Sequence, residues 1–363
     1  MKWEKIPLGS LCEIKGGKRL PKNHELIEQQ TTHPYIRARD IGRGVINFSR
    51  PMYLQESTYN LISRYIVTEN DIVLTIVGAN IGDVGLIPQE LDGANLTENA
   101  VKLTSFKKNC YFKFLLYFFL LPGKKKQLEQ VAAGSAQGKL GLYKIKDIEV
   151  PIPTISTQHK IASILSAYDE LIENNLKRIK LLEEKAFLKY KDIVQNNKLE
   201  KKKLKDILDL KYGKALKADD RKDGKYPVYG SSGAVGFHEE FFVSGPGIIV
   251  GRKGNIGSVF WSDESFWPID TVYYVESNLS LYFLYFNLKE QHFVNTDAAV
   301  PGLNRNFTLD NWIYIPSERV LADFDLDAKP IFELKNILRN QNTRLRQARD
   351  LLLPRLMNGE ISV

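Results

Sequence analysis

Between residues 158 and 195 a nearly unbroken apolar series recurs in alternating steps of four and three, interrupted only by Asn175 and Lys189: Ile161, Leu165, Tyr168, Ile172, Asn175, Ile179, Leu182, Ala186, Lys189 and Ile193. That spacing predicts a long helix with a coiled-coil seam. No Pro or Gly interrupts it, and the other faces carry Asp169, Glu170, Glu173, Lys177, Arg178, Lys180, Glu183, Glu184 and Lys185, a solvated surface. At 1.5 Å per residue the helix runs about 57 Å, more than one domain needs for its own core, so it requires a partner. The stepping returns through Ile331, Leu334, Leu338, Gln341, Leu345, Ala348 and Leu352, with a kink expected at Pro354 and a stop at Asn358-Gly359. Each seam holds one amide, Asn175 and Gln341, a device that fixes register at some cost in stability. Two unrelated amphipathic helices, each on its own domain, is the competing reading, and the length of the first argues against it.

The chain also repeats itself. The run Leu8-Gly9-Ser10-Leu11-Cys12-Glu13-Ile14-Lys15-Gly16-Gly17-Lys18 aligns without gaps with Leu204-Lys205-Asp206-Ile207-Leu208-Asp209-Leu210-Lys211-Tyr212-Gly213-Lys214. A strand, Gly-rich turn and strand over residues 71–85 are answered over 247–259, and an aromatic helix over 111–119 by one over 281–286. A small Gly-containing loop follows in each half (132–140 and 298–305), then a strand ending in Pro (148–153 and 312–316), then the long helix. Residue 8 matches 204 but 81 matches 256, so the first half carries about 20 extra residues, placed between Gly42 and Leu61. The unit is a domain plus a helix, twice. An antiparallel helix pair would set the two domains at opposite ends of a rod with a pseudo-two-fold axis, the geometric match to a duplex read at two half-sites. A duplication with a purely structural role stays open.

Length allows two or three domains, and 43% apolar with 26% charged residues is the balance of a folded chain. A net charge of +8 favours a polyanionic partner without proving one. Cys12 and Cys110 are the only cysteines and no signal peptide is visible, so a cytoplasmic location without disulfides is expected. The most apolar run, residues 111–121, contains Lys113 and is too short for a bilayer; it predicts a core helix.

Searches for reacting groups find none. The loop Gly134-Ser135-Ala136-Gln137-Gly138-Lys139-Leu140 lacks the first glycine and the Ser or Thr of a phosphate loop, and Gly251, Gly254 and Gly257 lack dinucleotide spacing. His24, His33, His159, His238 and His292 have no metal-ligand spacing. No Asn-Pro-Pro-aromatic or Asp-Pro-Pro-aromatic tetrapeptide of an amino-methyltransferase occurs, and Glu183 and Lys185 read as ion-pair residues on the solvated helix face. What remains is a set of basic and amide residues on Gly-bearing loops, suited to phosphates and base edges. They are Lys15, Lys18, Arg19, Arg37, Arg39, Arg43, Asn80 and Lys139 in the first half, and Lys211, Lys214, Lys217, Arg252, Lys253, Asn255, Asn304 and Arg305 in the second.

The ending Leu352-Leu353-Pro354-Arg355-Leu356-Met357-Asn358-Gly359-Glu360-Ile361 is similar to that of the specificity subunits of type I restriction-modification systems. So are Pro151-Ile152-Pro153 leading into Gln158-x-x-Ile161-Ala162-x-Ile164-Leu165, and the Gly-rich hairpins over 77–85 and 250–259. The resemblance covers essentially the whole chain. It implies two α/β (α+β) target-recognition domains, 1–155 and 198–326, separated by a central spacer helix, 156–197, and a C-terminal helix, 327–363, packed antiparallel on it. Each domain would read one half of a bipartite site on double-stranded DNA, the helices setting the gap and docking methyltransferase subunits, two of them, before restriction/translocase subunits join. The chain would have no active site, metal or cofactor of its own: S-adenosylmethionine, ATP and Mg would belong to the partners, and no membrane would be involved. Half-sites centred about one helical turn apart, roughly 10 to 11 bp, are expected. Two other readings stay open, a coiled-coil scaffold without nucleic acid and a nucleic-acid enzyme with an unrecognised site.

Overall fold

A computed structural model describes residues 3–134, 138–293 and 302–363, in two compact units, Met1–Leu171 with Arg344–Val363, and Ile172–Thr343. The first unit opens with β1 (Glu4–Pro7), β2 (Glu13–Gly16), β3 (Tyr35–Ile36), β4 (Ile41–Gly42), β5 (Val45–Ile46) and α1 (Glu56–Ile62). There follow β6 (Ile72–Thr75), β7 (Val84–Leu86), β8 (Asn95–Leu96), β9 (Ala100–Thr104), α2 (Phe112–Phe119), α3 (Lys124–Ala133), α4 (Leu142–Lys146), β10 (Glu149–Ile152) and α5 (Ile155–Asn196). The main sheet is antiparallel in the order β2-β9-β6-β7; β1 pairs with β10, and β3 runs parallel to β8. β6 reads Ile-Val-Leu-Thr without polar alternation because both its faces are covered. Ile72 and Leu74 share a core with Phe114, Leu115 and Phe118, while Val73 packs with Ile36, Leu96 and Ala100. The apolar run over 111–121 forms α2, buried along most of its length, as a helix apolar on all sides must be. Both cysteines are buried as thiols, and burial pushes each up to about 12.

The second unit repeats the plan with β11 (Glu200–Lys203), β12 (Leu208–Tyr212), β13 (Tyr226–Gly230), β14 (Gly233–His238), β15 (Gly247–Gly251), β16 (Val259–Ser262), β17 (Trp267–Pro268) and β18 (Val272–Ser277). It closes with α6 (Leu281–Glu290), α7 (Arg305–Leu309), β19 (Trp312–Ile315) and α8 (Glu318–Met357). Its sheet order is β12-β18-β15-β16, β11 pairs with β19, and β13 runs parallel to β17. The sheets are largely antiparallel, so the class is α+β. The repeat holds down to single hydrogen bonds. Thr75 donates its N–H to the Asp83 carbonyl and accepts from Gly82; Gly251 does the same with Ser258 and Gly257. The intervening turn, 76–81 against 252–256, is one residue shorter in the second half. The extra length of the first half lies between β3 and β6, where β4, β5 and α1 stand against β14 alone in the second. Of the small loops expected before the closing strands, residues 135–137 and 298–301 lie outside the described residues.

α8 starts at Glu318, well ahead of the expected 327, and stays helical through Pro330 and Pro354. Pro330 removes one backbone donor, but Phe324, Ala328, Ile331 and Phe332 around it are buried in the core of the second unit, and that packing outweighs the loss. The stop comes where expected: Gly359 has φ +70°, with Glu360 N–H to Arg355 O at 2.9 Å and Gly359 N–H to Leu356 O at 3.2 Å.

Within the first unit, Ile161, Ala162 and Leu165 of α5 share a core with Leu353, Leu356 and Met357 of α8. Asp169 there accepts from the Tyr117 hydroxyl of α2 at 2.6 Å and from Arg349 of α8. Within the second unit, Asn175 donates to Gln341 Oε1 at 3.0 Å and to Asn342 Oδ1 at 2.9 Å, and Asn342 donates to the Ile172 carbonyl at 3.2 Å. The seam of α8 keeps the expected Ile331 and Leu338 but departs from the expected one between and beyond them: Asn342 is buried and Gln341 exposed, Lys335 is buried and Leu334 only partly so. A lysine reads as surface, yet Lys335 is 1% exposed because Glu183 meets its ammonium at 2.9 Å. Glu183 accepts also from Lys289 at 2.9 Å and from the Tyr285 hydroxyl at 3.2 Å, so it belongs to a half-buried ion cluster and not to a solvated face. Burial alone would raise its carboxyl, but the two lysines outweigh that and hold it at about 2. The Lys335 amine, with one carboxylate partner, is pulled down by burial.

Glu183→Ala, which strands the buried Lys335, should cost about 3 kcal/mol in urea unfolding, whereas Lys335→Met, which leaves Glu183 on Lys289, should cost less than about 1.5 kcal/mol. The Glu183 carboxyl lies below its unfolded value of 4.5, so its contribution is whole above that pH and lost as the pH falls through about 2. Acid unfolding followed by tryptophan fluorescence should show that loss in the parent and not in Glu183→Gln.

Candidate nucleic-acid interface

The basic and amide residues singled out in the sequence separate by what holds them. Arg37 is internal: its guanidinium makes two bonds to Asp40, at 2.8 and 2.7 Å, and one to the Arg50 carbonyl, and Asp40 is 5% exposed. Arg305 likewise binds Asp209 and donates Nε to the Leu210 carbonyl at 2.7 Å, tying α7 to β12. Asn304 caps α7, its side-chain oxygen accepting from the Phe307 N–H at 3.1 Å. These three have structural work. Lys15 sits on Glu13 at 2.6 Å, Arg19 on Glu98 at 2.9 Å, and Lys211 on Asp209 at 2.9 Å, all partly exposed pairs that water screens.

A second set projects from loops. Arg43 and Gly44 form the two-residue turn between β4 and β5, with φ of +54° and +84°, the left-handed pair that a type I′ hairpin needs. Arg43 is exposed at the tip, and Arg39 is exposed in the turn before the hairpin. The turn after β6 carries Asn80 and the turn after β15 carries Asn255, each followed by Ile and a left-handed Gly, Gly82 at φ +86° and Gly257 at φ +73°. Arg252 leaves β15 with its guanidinium 4.9 Å from the Tyr212 ring centre and Nη1 on the Asp270 carbonyl at 3.1 Å. Lys253 follows it, its N–H on the Thr271 carbonyl at 3.1 Å, and Lys139 pairs with Val77 beside the equivalent turn of the first half. Lys217 is exposed ahead of a short turn.

Lys18 and Lys214, like Arg252, lie over aromatic rings: Nζ is 5.5 Å from the Tyr65 ring centre for the first and 5.5 Å from Trp267 for the second. Sequence reasoning did not single out those two rings, nor Arg64, which lines a recess with Lys15, Tyr65 and Lys102. Aromatic residues scattered among loops carry no period that would mark them. Among the described residues no cluster of His, Cys, Asp and Glu suited to a metal ion is found, and no helix is long and apolar enough to cross a membrane.

Two domains thus share one frame and one antiparallel sheet order, and present different loops from it. The chain belongs to the family of type I restriction modification DNA specificity domains, which matches residues 1–184 and 196–309. Membership makes it a DNA-specificity component and not a catalyst of the restriction-modification assembly. It is 26% identical over 306 residues to the type I restriction enzyme MjaIX specificity subunit of Methanocaldococcus jannaschii, covering 69% of either chain. Against the MjaVIII specificity subunit of the same organism it is 26% identical over 275 residues, 74% of this chain and 59% of that relative. The fold is shared with the crystal structure of a type I restriction-modification S subunit from M. genitalium, with a TM-score of 0.62 at 20% identity over 98% of this chain and 96% of that one.

Arg37→Ala leaves the buried Asp40 without its cation and should cost about 3 kcal/mol of stability with no change in DNA target. Arg252→Ala should leave stability within about 1 kcal/mol and weaken DNA binding by about 1 to 3 kcal/mol. Competition among single-base variants of the target separates base reading, which relaxes one position, from phosphate contact, which weakens all sequences alike.

Proposed function

We propose that this chain is the specificity subunit of a type I restriction-modification complex, each domain reading one half of a bipartite duplex target. The observation that carries the proposal is the pairing of a common frame with unlike loops. β2-β9-β6-β7 and β12-β18-β15-β16 are the same sheet, whereas the segments ahead of β6 and β15 differ in length and elements. A base-reading surface is expected to differ where its two half-sites differ, and the scaffold beneath it is not.

The long helices serve as the gap-setting spacer and as the docking surface for two methyltransferase subunits. Exposed apolar side chains on them support the second role: Leu176, Leu181 and Leu188 on α5 and Leu326 and Ile337 on α8 in the second unit, Leu171 and Leu351 in the first. A helix pair that kept only its own seam would leave polar residues there. S-adenosylmethionine, ATP and Mg belong to the methyltransferase and restriction/translocase partners, and the complex works in the cytoplasm. A coiled-coil scaffold without DNA would leave the loop cations without a use.

Purification from the native host with adenine-methylation mapping tests this. A methyltransferase should copurify, and one bipartite methylation pattern should vanish when the chain is deleted. Leu181→Arg with Leu188→Arg should abolish the copurification with no fall in melting temperature. Unchanged methylation and no such partner would establish the scaffold reading instead.

A further inference from the structure

Two lysines occupy the same place in the two domains, held there by different neighbours. Gly17 and Gly213 precede them, and a Cβ on either would lie 2.0 or 2.1 Å from the backbone oxygen of Thr97 or Ile269, so no other residue fits. Gly17 donates its N–H to Ala100 O and Gly213 to Val272 O. The next N–H, of Lys18 or Lys214, goes at 2.9 Å to Leu96 O or Pro268 O. Each lysine carbonyl is then held from the other side, by the Tyr35 hydroxyl at 3.1 Å and by the Trp267 indole N–H at 2.9 Å. The backbone of each is fixed at both its donor and its acceptor. Each side chain then extends, exposed, over an aromatic ring.

The surrounding charges set these two apart. Lys15, Arg19 and Lys211, on the same strand ends, are each neutralised by a carboxylate within 3 Å. Among the described residues no carboxylate is within ion-pair reach of Lys18 or Lys214. An aromatic face orients an ammonium without cancelling its charge. By contrast, Arg43 has no counterpart in the second domain and Arg252 aligns with Ile76, so those differ where the half-sites differ. What two unlike half-sites share is the sugar-phosphate backbone.

We infer that Lys18 and Lys214 are matched phosphate clamps, one per half-site, that fix the register of each domain on the duplex without reading sequence. The inference rests on the bipartite DNA-reading proposal above. The test uses the chain in complex with its methyltransferase subunits, on a duplex bearing the mapped target and on a random duplex, across a salt series. Lys18→Ala, Lys214→Ala and the corresponding Gln variants, which keep a stem over the ring, are compared with the parent. Each single variant should weaken binding to both duplexes by the same factor, about fivefold, and lower the slope of log Kd against log salt by about 1. The double variant should lose about 2 in slope, and the methylated motif should stay the same. A changed base preference in either half-site, or an unchanged affinity and slope, would overturn the inference. Absence of any sequence preference in the parent, with the slope loss intact, would sink the bipartite reading and leave the phosphate clamps standing.

Discussion

A buried amide must find polar partners, because leaving its groups unsatisfied costs more than most single contacts return. Asn175 and Asn342, 5% and 1% exposed, meet that demand through each other, Gln341 and the Ile172 carbonyl. A slip of α8 by one residue would break every one of these bonds. Two turns further along α5, Glu183 imposes the same condition through Lys335. Apolar seams tolerate small slips; these polar pairs do not, and so they decide which residues of α5 and α8 face each other. In the first unit the Tyr117, Asp169 and Arg349 chain performs the same service and ties α2 in as well.

On that frame each domain supplies an antiparallel sheet covered by an aromatic helix, and loops that owe little to the core. The division of labour follows from burial. Residues that the frame needs are paired or packed, as Arg37, Arg305 and Asn304 are, whereas Arg43 stands on a type I′ pair and Arg252 and Lys253 on a turn with left-handed glycines at 254 and 257. A recognition surface built this way can vary in sequence without disturbing the sheet.

The repeat was legible because it lives in strand periodicity and glycine placement: Gly17 and Gly213 align in the bare sequence and align again through their hydrogen bonds. The second seam was legible only in part, at Ile331 and Leu338. Stepping by three from Leu338 reaches Gln341 and stepping by four reaches Asn342; both are amides, and only a buried lysine at 335 decides between them. The first turns of α8 were not legible either: the apolar stepping starts at Ile331, whereas burial of Leu321, Phe324 and Ala328 carries the helix back ahead of Pro330. Residue type found the loop cations but could not tell which arginines have structural work, because that depends on whether a carboxylate such as Asp40 or Asp209 folds back onto them.

The central claim is that the two domains read independently. Residues 215–246, which carry β13 and β14, can be exchanged for the corresponding segment of another family member. Genome-wide methylation is then mapped in the same host. The account predicts a new sequence in one half of the bipartite motif, with the other half and the gap unchanged. A motif altered in both halves, or altered in neither, would contradict it.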